Sequence, residues 1–301
     1  MGPTLARMLV RTAALVGDGR RVFAASRFSS GDTEHSLRDV GIETVRCDLL
    51  DRDAVARLPE APNVIFMAGQ KFGTADAPAV TWDMNTVVPA ICADRYRAAR
   101  VVAFSTGNVY PLTPARGDGA RESDPVGPVG EYATSALGRE RVFEFYAARH
   151  RTRVAIVRLN YAIDLRYGVL ADIALRVRGN QGVPLAMGHV NVIWQGDANR
   201  IAIECLPHAA VPPFVVNVTG VETLAVRDIA ERFGRRFDVR PRYIGEERAD
   251  ALLSNTQRMQ TTFGAPEVAL DTMVDWVAAW IEGGQPMLNK PTHFEERTGR
   301  F

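Results

Sequence analysis

Runs of consecutive apolar residues alternate with segments of helical periodicity, and this alternation constrains the fold more than any other feature. Apolar runs occupy residues 63–69, 101–106 and 152–160, and helical patterns cover about 77–98 and 131–148 between them. A strand that is apolar throughout is typical of a sheet covered on both faces. Strands that alternate with helices form parallel sheets. The sequence therefore predicts an α/β fold built on a doubly wound parallel sheet.

The first residues have the pattern of a helix with no strand before it. Residues 3–16 carry apolar side chains at helical spacing, and Pro3 suits a first helical turn. A sheet that binds a dinucleotide starts with a strand, a glycine-rich turn and a helix whose N-terminus holds the pyrophosphate. Gly2 fits the last glycine of that turn. We therefore expect a first, central strand to be missing; the alternative is that residues 1–16 form the N-terminal helix of another fold.

The composition is that of a globular chain with no electrostatic preference for polyanions. Of 301 residues, 47% are hydrophobic and 24% charged, with a formal net charge of +1. This balance excludes nucleic acid or an anionic membrane as the main partner, and no apolar run reaches the length of a membrane span. The three cysteines are typical of reduced thiols in a cytoplasmic protein. The five histidines lack metal-ligand spacing, so no metal site is predicted.

The pattern changes after residue 160. The segments beyond it are shorter and less regular than the strands and helices before it. We therefore predict a dinucleotide-binding domain over residues 1–160, incomplete at its N-terminus. Residues 161–301 are predicted to be mainly a smaller substrate-binding region, interleaved with the last strands of the sheet.

Four short segments carry residues of functional interest. In chain order they are CDLLD (47–51), MAGQK (67–71), FSTGNVY (104–110) and EYATSA (131–136). Their order and spacing resemble the extended short-chain dehydrogenase/reductase family of NAD(P)-dependent epimerases and dehydratases. The resemblance runs from Gly2 to about Trp280 and implies a Rossmann-like fold and a dinucleotide cofactor.

The resemblance also implies roles for individual residues. It places Thr106 and Tyr132 at the catalytic positions, where the tyrosine is the acid/base for a substrate oxygen. Along the cofactor it places Gly2, Asp48, Leu49, Met67, Ala68, Gly69, Lys71, Asn85 and Asn160. Plainer interpretations stay open: a strand-end cap for Thr106, a helix-surface aromatic for Tyr132, a turn residue for Asp48 and a solvated charge for Lys71.

One residue departs from the family pattern. The family has a lysine four residues after the tyrosine, where it holds the nicotinamide ribose and lowers the pKa of the phenol, and this sequence has Ala136 there. A phenol with an ordinary pKa is about 4 kcal/mol away from ionisation at pH 7. Arg139 lies seven residues beyond Tyr132 on the same helix face, and Lys71 lies on the cofactor loop. Either one of these cations substitutes, and we expect Arg139 before Lys71, or the proton chemistry is slow or of a different kind.

The end of the second predicted strand bears on the choice of cofactor. NAD-preferring sheets place an acidic residue there, whereas an arginine accommodates the 2′-phosphate of NADP. The sequence has Ser26 at this point and Arg27 beside it. The pattern therefore favours NADP, with NAD still possible.

Two classes of function follow. The first is an oxidoreductase or epimerase acting by hydride transfer on a sugar, sugar acid or nucleotide sugar; the second is a non-catalytic dinucleotide-binding regulator. A 4,6-dehydratase is disfavoured because Thr106 is followed by Gly107 and Asn108 rather than by two carboxylates. By family analogy we expect a homodimer formed through the helices near 77–98 and 131–148. The substrate pocket is expected to be lined by Arg166, Tyr167, Asn191, Trp194 and Gln195.

Overall fold

Strands and helices alternate through the first half of the chain, as the apolar pattern predicts. The structure is a computed structural model that describes residues 1–29, 31–290 and 292–300. In this half the helices are α1 (Gly2–Val16), α2 (Gly31–Arg38), α3 (Arg52–Ala56), α4 (Pro78–Trp82), α5 (Val88–Arg95) and α6 (Gly130–His150). The strands are β1 (Phe23–Ser26), β2 (Glu43–Arg46), β3 (Asn63–Phe66), β4 (Arg100–Thr106), β5 (Thr113–Pro114) and β6 (Arg153–Leu159).

The second half has shorter strands between its helices. Its helices are α7 (Val169–Arg178), α8 (Gln195–Glu204), α9 (Val226–Phe237), α10 (Gln257–Phe263) and α11 (Leu270–Glu282). Its strands are β7 (Ala162–Ile163), β8 (Gly182–Pro184), β9 (His189–Val190), β10 (Ile193–Trp194), β11 (Phe214–Val218), β12 (Leu224–Ala225), β13 (Arg242–Ile244) and β14 (Asp250–Ala251). A hydrophobic cluster on α7, α9 and α11 forms the core of this half.

The parallel sheet is in two parts. Four strands pair in the order β11-β6-β4-β3, and β1 pairs with β2 in a separate parallel ribbon. Within the described residues no strand pairs with β3 on the side away from β4, or with β1 on the side away from β2. One cavity of about 1540 Å³ is lined by residues of both β1 and β3. This gap lies where the sequence analysis places an additional central strand.

The strands of the four-stranded part are buried on both faces. Residues 101–106 of β4 and 154–158 of β6 are all buried, and apolar clusters pack on each side of them. The doubly wound α/β fold predicted from the sequence is confirmed. Because β11 comes from residue 214 onward and pairs with β6, the second half contributes to the sheet. The proposed boundary at residue 160 stays a prediction.

Candidate active site

The cavity between β1 and β3 brings together most of the residues expected along a cofactor. Its lining includes Gly2, Ser26, Arg27, Asp48, Leu49, Met67, Ala68 and Gly69. These residues come from α1 and from the ends of three strands, β1, β2 and β3. Parallel strands present their carboxyl ends at one edge of a sheet, which is where α/β proteins bind ligands.

The start of α1 gives this cavity the character of a phosphate site. The helix is 15 residues long, and Gly2 and Pro3 of its first turn line the cavity. A helix N-terminus offers unpaired backbone N–H groups and a favourable dipole to an anion. The exposed carboxylate of Asp48 lies at the same cavity. The residues present therefore fit a dinucleotide.

Thr106 ends β4 with its hydroxyl held in a defined orientation. Its Oγ1 accepts hydrogen bonds from the backbone N–H of Asn108 (3.2 Å) and from Nδ2 of Asn108 (3.0 Å). Because these bonds occupy the lone pairs, the hydroxyl hydrogen is available for donation. The hydroxyl lies close enough to the phenol of Tyr132 to favour its ionised form and so lower its pKa. The threonine and the tyrosine thus meet as the sequence predicts.

Tyr132 lies in the first turn of α6 and is partly buried. Burial raises the pKa of its phenol, while the hydrogen bond from Thr106 and the positive charge of Arg139 both counteract this increase. A group that favours the phenolate is needed for a tyrosine to act as a base near neutral pH. Arg139 supplies that influence here.

The guanidinium of Arg139 is buried and bound to neutral acceptors. Nη1 donates to the backbone carbonyl of Phe104 (2.9 Å), and Nη2 donates to Oδ1 of Asn85 (2.5 Å). Among the residues that the structure describes, no carboxylate forms an ion pair with Arg139, because the adjacent Glu140 pairs with Arg158 instead. Burial lowers the pKa of Arg139, and the neighbouring Tyr132 opposes that shift.

The helix position at which the family has its lysine is surrounded by apolar side chains in this protein. Ala136 is fully buried in an apolar cluster with Val109, Tyr110 and Ala120. A long side chain at this position would have to displace these neighbours. The cation near the phenol therefore comes from the next turn of the helix, at Arg139.

Three of the residues expected along the cofactor lie outside the cavity lining. Lys71 instead donates from Nζ to the backbone carbonyl of Thr292 (3.3 Å), and Asn160 donates from Nδ2 to the carbonyl of Leu252 (3.1 Å). Burial lowers the pKa of Lys71 to about 8, with the charge of Asp172 acting in the opposite direction. Asn85 is fully buried beneath the loop that follows β3.

The residues expected to line the substrate pocket have different surroundings in the structure. Arg166 is exposed and pairs with Asp164 (3.1 Å), and Tyr167 lies close enough to Tyr132 for its phenol to sense that group's charge. Asn191 is buried, bound to Ser254 and the carbonyl of Glu222. The Trp194 ring contacts Trp276. Gln195 donates to Asp164, the same carboxylate that pairs with Arg166.

Sequence reasoning missed a contact between the C-terminal segment and this region. The backbone N–H of Thr292 donates to a carboxylate oxygen of Asp172 (2.8 Å), and the Thr292 hydroxyl bonds to the same oxygen. Gly299 packs against the backbone of Val129 and Gly130 at the start of α6. No local pattern connects residues so far apart in the chain, so the sequence carried no signal for it.

Sequence comparison identifies the family. A model of the "NAD dependent epimerase/dehydratase family" matches residues 8–163. The chain belongs to this family. No curated protein matches the chain.

Solved structures of similar fold cover nearly the whole chain. The Thermus thermophilus UDP-glucose 4-epimerase in complex with NAD is 18% identical, with a TM-score of 0.75, over 93% of this chain and 96% of that one. The Bacillus cereus UDP-glucuronic acid 4-epimerase in complex with NAD is 14% identical, with a TM-score of 0.78, over 93% and 95%. The dTDP-glucose 4,6-dehydratase DesIV from Streptomyces venezuelae is 17% identical, with a TM-score of 0.77, over 94% and 95%. These likenesses confirm the fold.

In this epimerase/dehydratase family member, a short turn follows the catalytic threonine position. Gly107–Val109 forms a 3₁₀ turn, and Asn108 uses its side chain to orient Thr106. Gly107 packs against Asn160 and Ser254. Neither residue after Thr106 carries a carboxylate for acid/base chemistry.

A buried polar network connects β4, which ends at Thr106, to the neighbouring elements. Glu140 of α6 accepts from Ser105 (2.5 Å) and pairs with Arg158 of β6 (2.7 Å), and Arg158 also donates to the hydroxyl of Tyr110 (2.6 Å). Tyr110 in turn donates to Asn217 (2.9 Å). This network ties α6 to β4, β6 and β11, and so fixes the helix that carries Tyr132.

The described residues show neither a metal site nor a membrane-spanning helix. Among the described residues no group of three or more His, Cys, Asp or Glu side chains is arranged to hold a metal ion. No helix within the same residues combines the length and the apolar character that a membrane crossing requires.

Proposed function

We propose that this protein is an NAD(P)-dependent oxidoreductase or epimerase that acts by hydride transfer on a nucleotide sugar. The observation that carries the proposal is the meeting of Thr106, Tyr132 and Arg139 close to a cavity that fits a dinucleotide. Structural neighbours described as complexes with NAD and as UDP-sugar epimerases support this class of substrate and cofactor.

The proposed roles follow from the contacts. Tyr132 takes a proton from, or returns it to, a substrate oxygen through its phenol. Thr106 donates a hydrogen bond to the same oxygen, and Arg139 stabilises the phenolate by its charge. The bound dinucleotide supplies the hydride acceptor and donor. The absence of two carboxylates after Thr106 favours dehydrogenation or epimerisation over elimination of water.

The departure at Ala136 favours a second candidate, a dinucleotide-binding regulator without catalysis. A regulator requires the cavity but neither the threonine nor the tyrosine. The oriented hydroxyl of Thr106 and the unneutralised charge beside Tyr132 favour the enzyme. Turnover, rather than binding, separates the two candidates.

The first test is turnover with a panel of UDP-glucose, UDP-glucuronic acid and dTDP-glucose, each with NADP or NAD. We expect Tyr132→Phe to remove nearly all turnover while cofactor affinity stays close to that of the parent, since only the phenol proton is lost. Thr106→Ala should lower the rate less, by about 2–4 kcal/mol in activation free energy. A parent no more active than Tyr132→Phe on every substrate would favour the regulator.

We also propose that NADP binds more tightly than NAD. Ser26 and Arg27 line the cavity, and within the described part of the chain no acidic side chain pairs with Arg27, so its charge is available to a 2′-phosphate. Arg27→Ala and Ser26→Asp should each reverse the preference, measured as the ratio of the two dissociation constants. An unchanged ratio in both variants would show that these residues do not select the cofactor.

A homodimer through α4, α5 and α6 and the turn between α4 and α5 is the proposed assembly, with a cytoplasmic location. Val80, Trp82, Val87 and Phe145 are large apolar side chains exposed on these elements. Exposed apolar surface of this kind is typical of an interface. The molecular mass in solution tests it, and a monomer at micromolar concentration would contradict it.

A further inference from the structure

Gly69 adjoins the guanidinium of Arg139 so closely that no other residue fits there without a shift. A Cβ on Gly69 would overlap Nη2 of Arg139 and would lie 3.0 Å from Oδ1 of Asn85. The φ angle of Gly69 is outside the left-handed region, so its backbone conformation alone does not require glycine. What requires glycine is the space that the arginine occupies.

Asn85 holds the other side of the same guanidinium. It is fully buried in a π-helical turn, Asp83–Val87, between α4 and α5. Its Oδ1 accepts from Nη2 of Arg139 (2.5 Å) and from the backbone N–H of Gln70 (2.9 Å). Its Nδ2 donates to the carbonyl of Gln70 and to Oγ of Ser135, both at 2.9 Å. One amide thus joins the loop after β3, the arginine and α6.

The acceptors that bind the guanidinium of Arg139 are uncharged, and they therefore do not neutralise its positive charge. An aspartate at position 85 would also accept from the guanidinium, but it would pair with the positive charge. With the asparagine amide and the carbonyl of Phe104 as acceptors, the guanidinium is positioned without being neutralised. Its field therefore acts on Tyr132, whose charge counteracts the effect of burial on the pKa of Arg139 more than that of Glu140 does.

We propose that Gly69 and Asn85 are positioning residues that hold Arg139, still charged, beside Tyr132 in place of the lysine that Ala136 replaces. Gly69 provides the space and Asn85 the neutral acceptor. The inference rests on the proposed function for its purpose, but the arrangement can be measured without turnover. Among the described residues, Thr106 and Arg139 act on the pKa of Tyr132, and Tyr167 lies close enough to interact with its charge.

The test is a double-mutant cycle between Gly69→Ala and Arg139→Ala, with two readouts. The first is the free energy of unfolding in urea. The second is the ionisation of Tyr132, followed by difference absorbance between each protein and the same protein carrying Tyr132→Phe. Gly31→Ala is the matched control, because a Cβ there meets no atom within 4 Å and the backbone φ is ordinary.

In the parent background, Gly69→Ala should displace the guanidinium, lower the stability and move the Tyr132 titration to higher pH. Arg139→Ala should shift the same titration upward by about 1–3 pH units, the usual influence of a nearby opposite charge. In the Arg139→Ala background, Gly69→Ala should leave the Tyr132 titration unchanged and lower the stability much less than in the parent, because only the 3.0 Å contact with Oδ1 of Asn85 remains. Additive effects in the two backgrounds would overturn the proposal.

Two substitutions of Asn85 distinguish its role in holding the guanidinium in place from its role as an uncharged acceptor. Asn85→Asp keeps an acceptor for Nη2 but pairs the charge, so the Tyr132 titration should move upward. Asn85→Leu should move it upward as well and lower the stability further, since four hydrogen bonds are lost. An Asn85→Asp protein that titrates like the parent would overturn the proposal. If Gly69→Ala alone fails to fold, folding of the double variant supports the proposal and its failure overturns it.

The two levels of hypothesis fail differently. A parent without turnover on any substrate, but with the coupled titration and stability effects, would reject the proposed function and retain the positioning of Arg139. A parent with turnover but additive effects would do the reverse.

Discussion

The two parts of the sheet differ in strand pairing and in packing. In the four-stranded part, β4 and β6 have a paired strand on both sides, and a polar network is buried against them. In the β1–β2 part the strands are short, and a large cavity separates them from β3. The proposed proton chemistry lies at the end of β4 and the start of α6, and the expected cofactor contacts lie around the cavity between β1 and β3.

The largest expected difference concerns ion pairs in the two parts. Arg158→Met should lower the free energy of unfolding by about 3–5 kcal/mol, because it leaves the carboxylate of Glu140 buried without its partner. The matched control is Arg21→Met, whose pair with Glu43 is exposed on the β1–β2 ribbon and should contribute little. Urea unfolding checks both. Equal losses would contradict the contrast between the two parts.

A smaller difference is expected from the same apolar truncation in two strands of the four-stranded part, one inside the sheet and one beside the cavity. Ile156 of β6 is fully buried, so Ile156→Ala should lower the stability by about 2–5 kcal/mol. Ile65 of β3 lines the cavity and is only partly buried, so Ile65→Ala removes fewer contacts and should lower it clearly less. A loss at Ile65 as large as the loss at Ile156 would mean that β3 is packed as tightly as β6.

The smallest expected effect is a pH dependence from Lys71, on the loop that follows β3. Its folded pKa of about 8 lies below the ordinary 10.5, so between these values the folded protein binds fewer protons than the unfolded chain. Stability should therefore rise with pH over this range, by at most about 1.4 kcal/mol per pH unit. Lys71→Met should remove this rise.

The chain's other lysine provides the matched control for this measurement. Lys290 is exposed, and Lys290→Met should leave the pH dependence of stability unchanged. A parent whose stability is flat from pH 8 to 10, like that of Lys71→Met, would show that Lys71 stays charged in the folded protein.

Local patterns predict part of this molecule and not the rest. Apolar runs identify β3, β4 and β6, and the spacing on one helix face is enough to bring Arg139 toward Tyr132. Lys71 and Asn160 were expected beside the cofactor, yet their partners are backbone carbonyls at Thr292 and Leu252. Such partners are fixed by tertiary packing of distant segments, which leaves no periodicity to detect. The need for glycine at position 69 is also set by a distant residue, Arg139, and no local pattern predicts it.

The fit between Gly69 and Arg139 sets an order in which single substitutions can build this site. An arginine entering at 139 before a glycine stands at 69 meets a Cβ in its way, whereas the glycine alone creates no clash. The permissive change must therefore precede the functional one. The way back is also closed to one step, because Ala136 is packed against Val109 and Tyr110. Ancestral reconstructions should show glycine at position 69 before arginine at position 139.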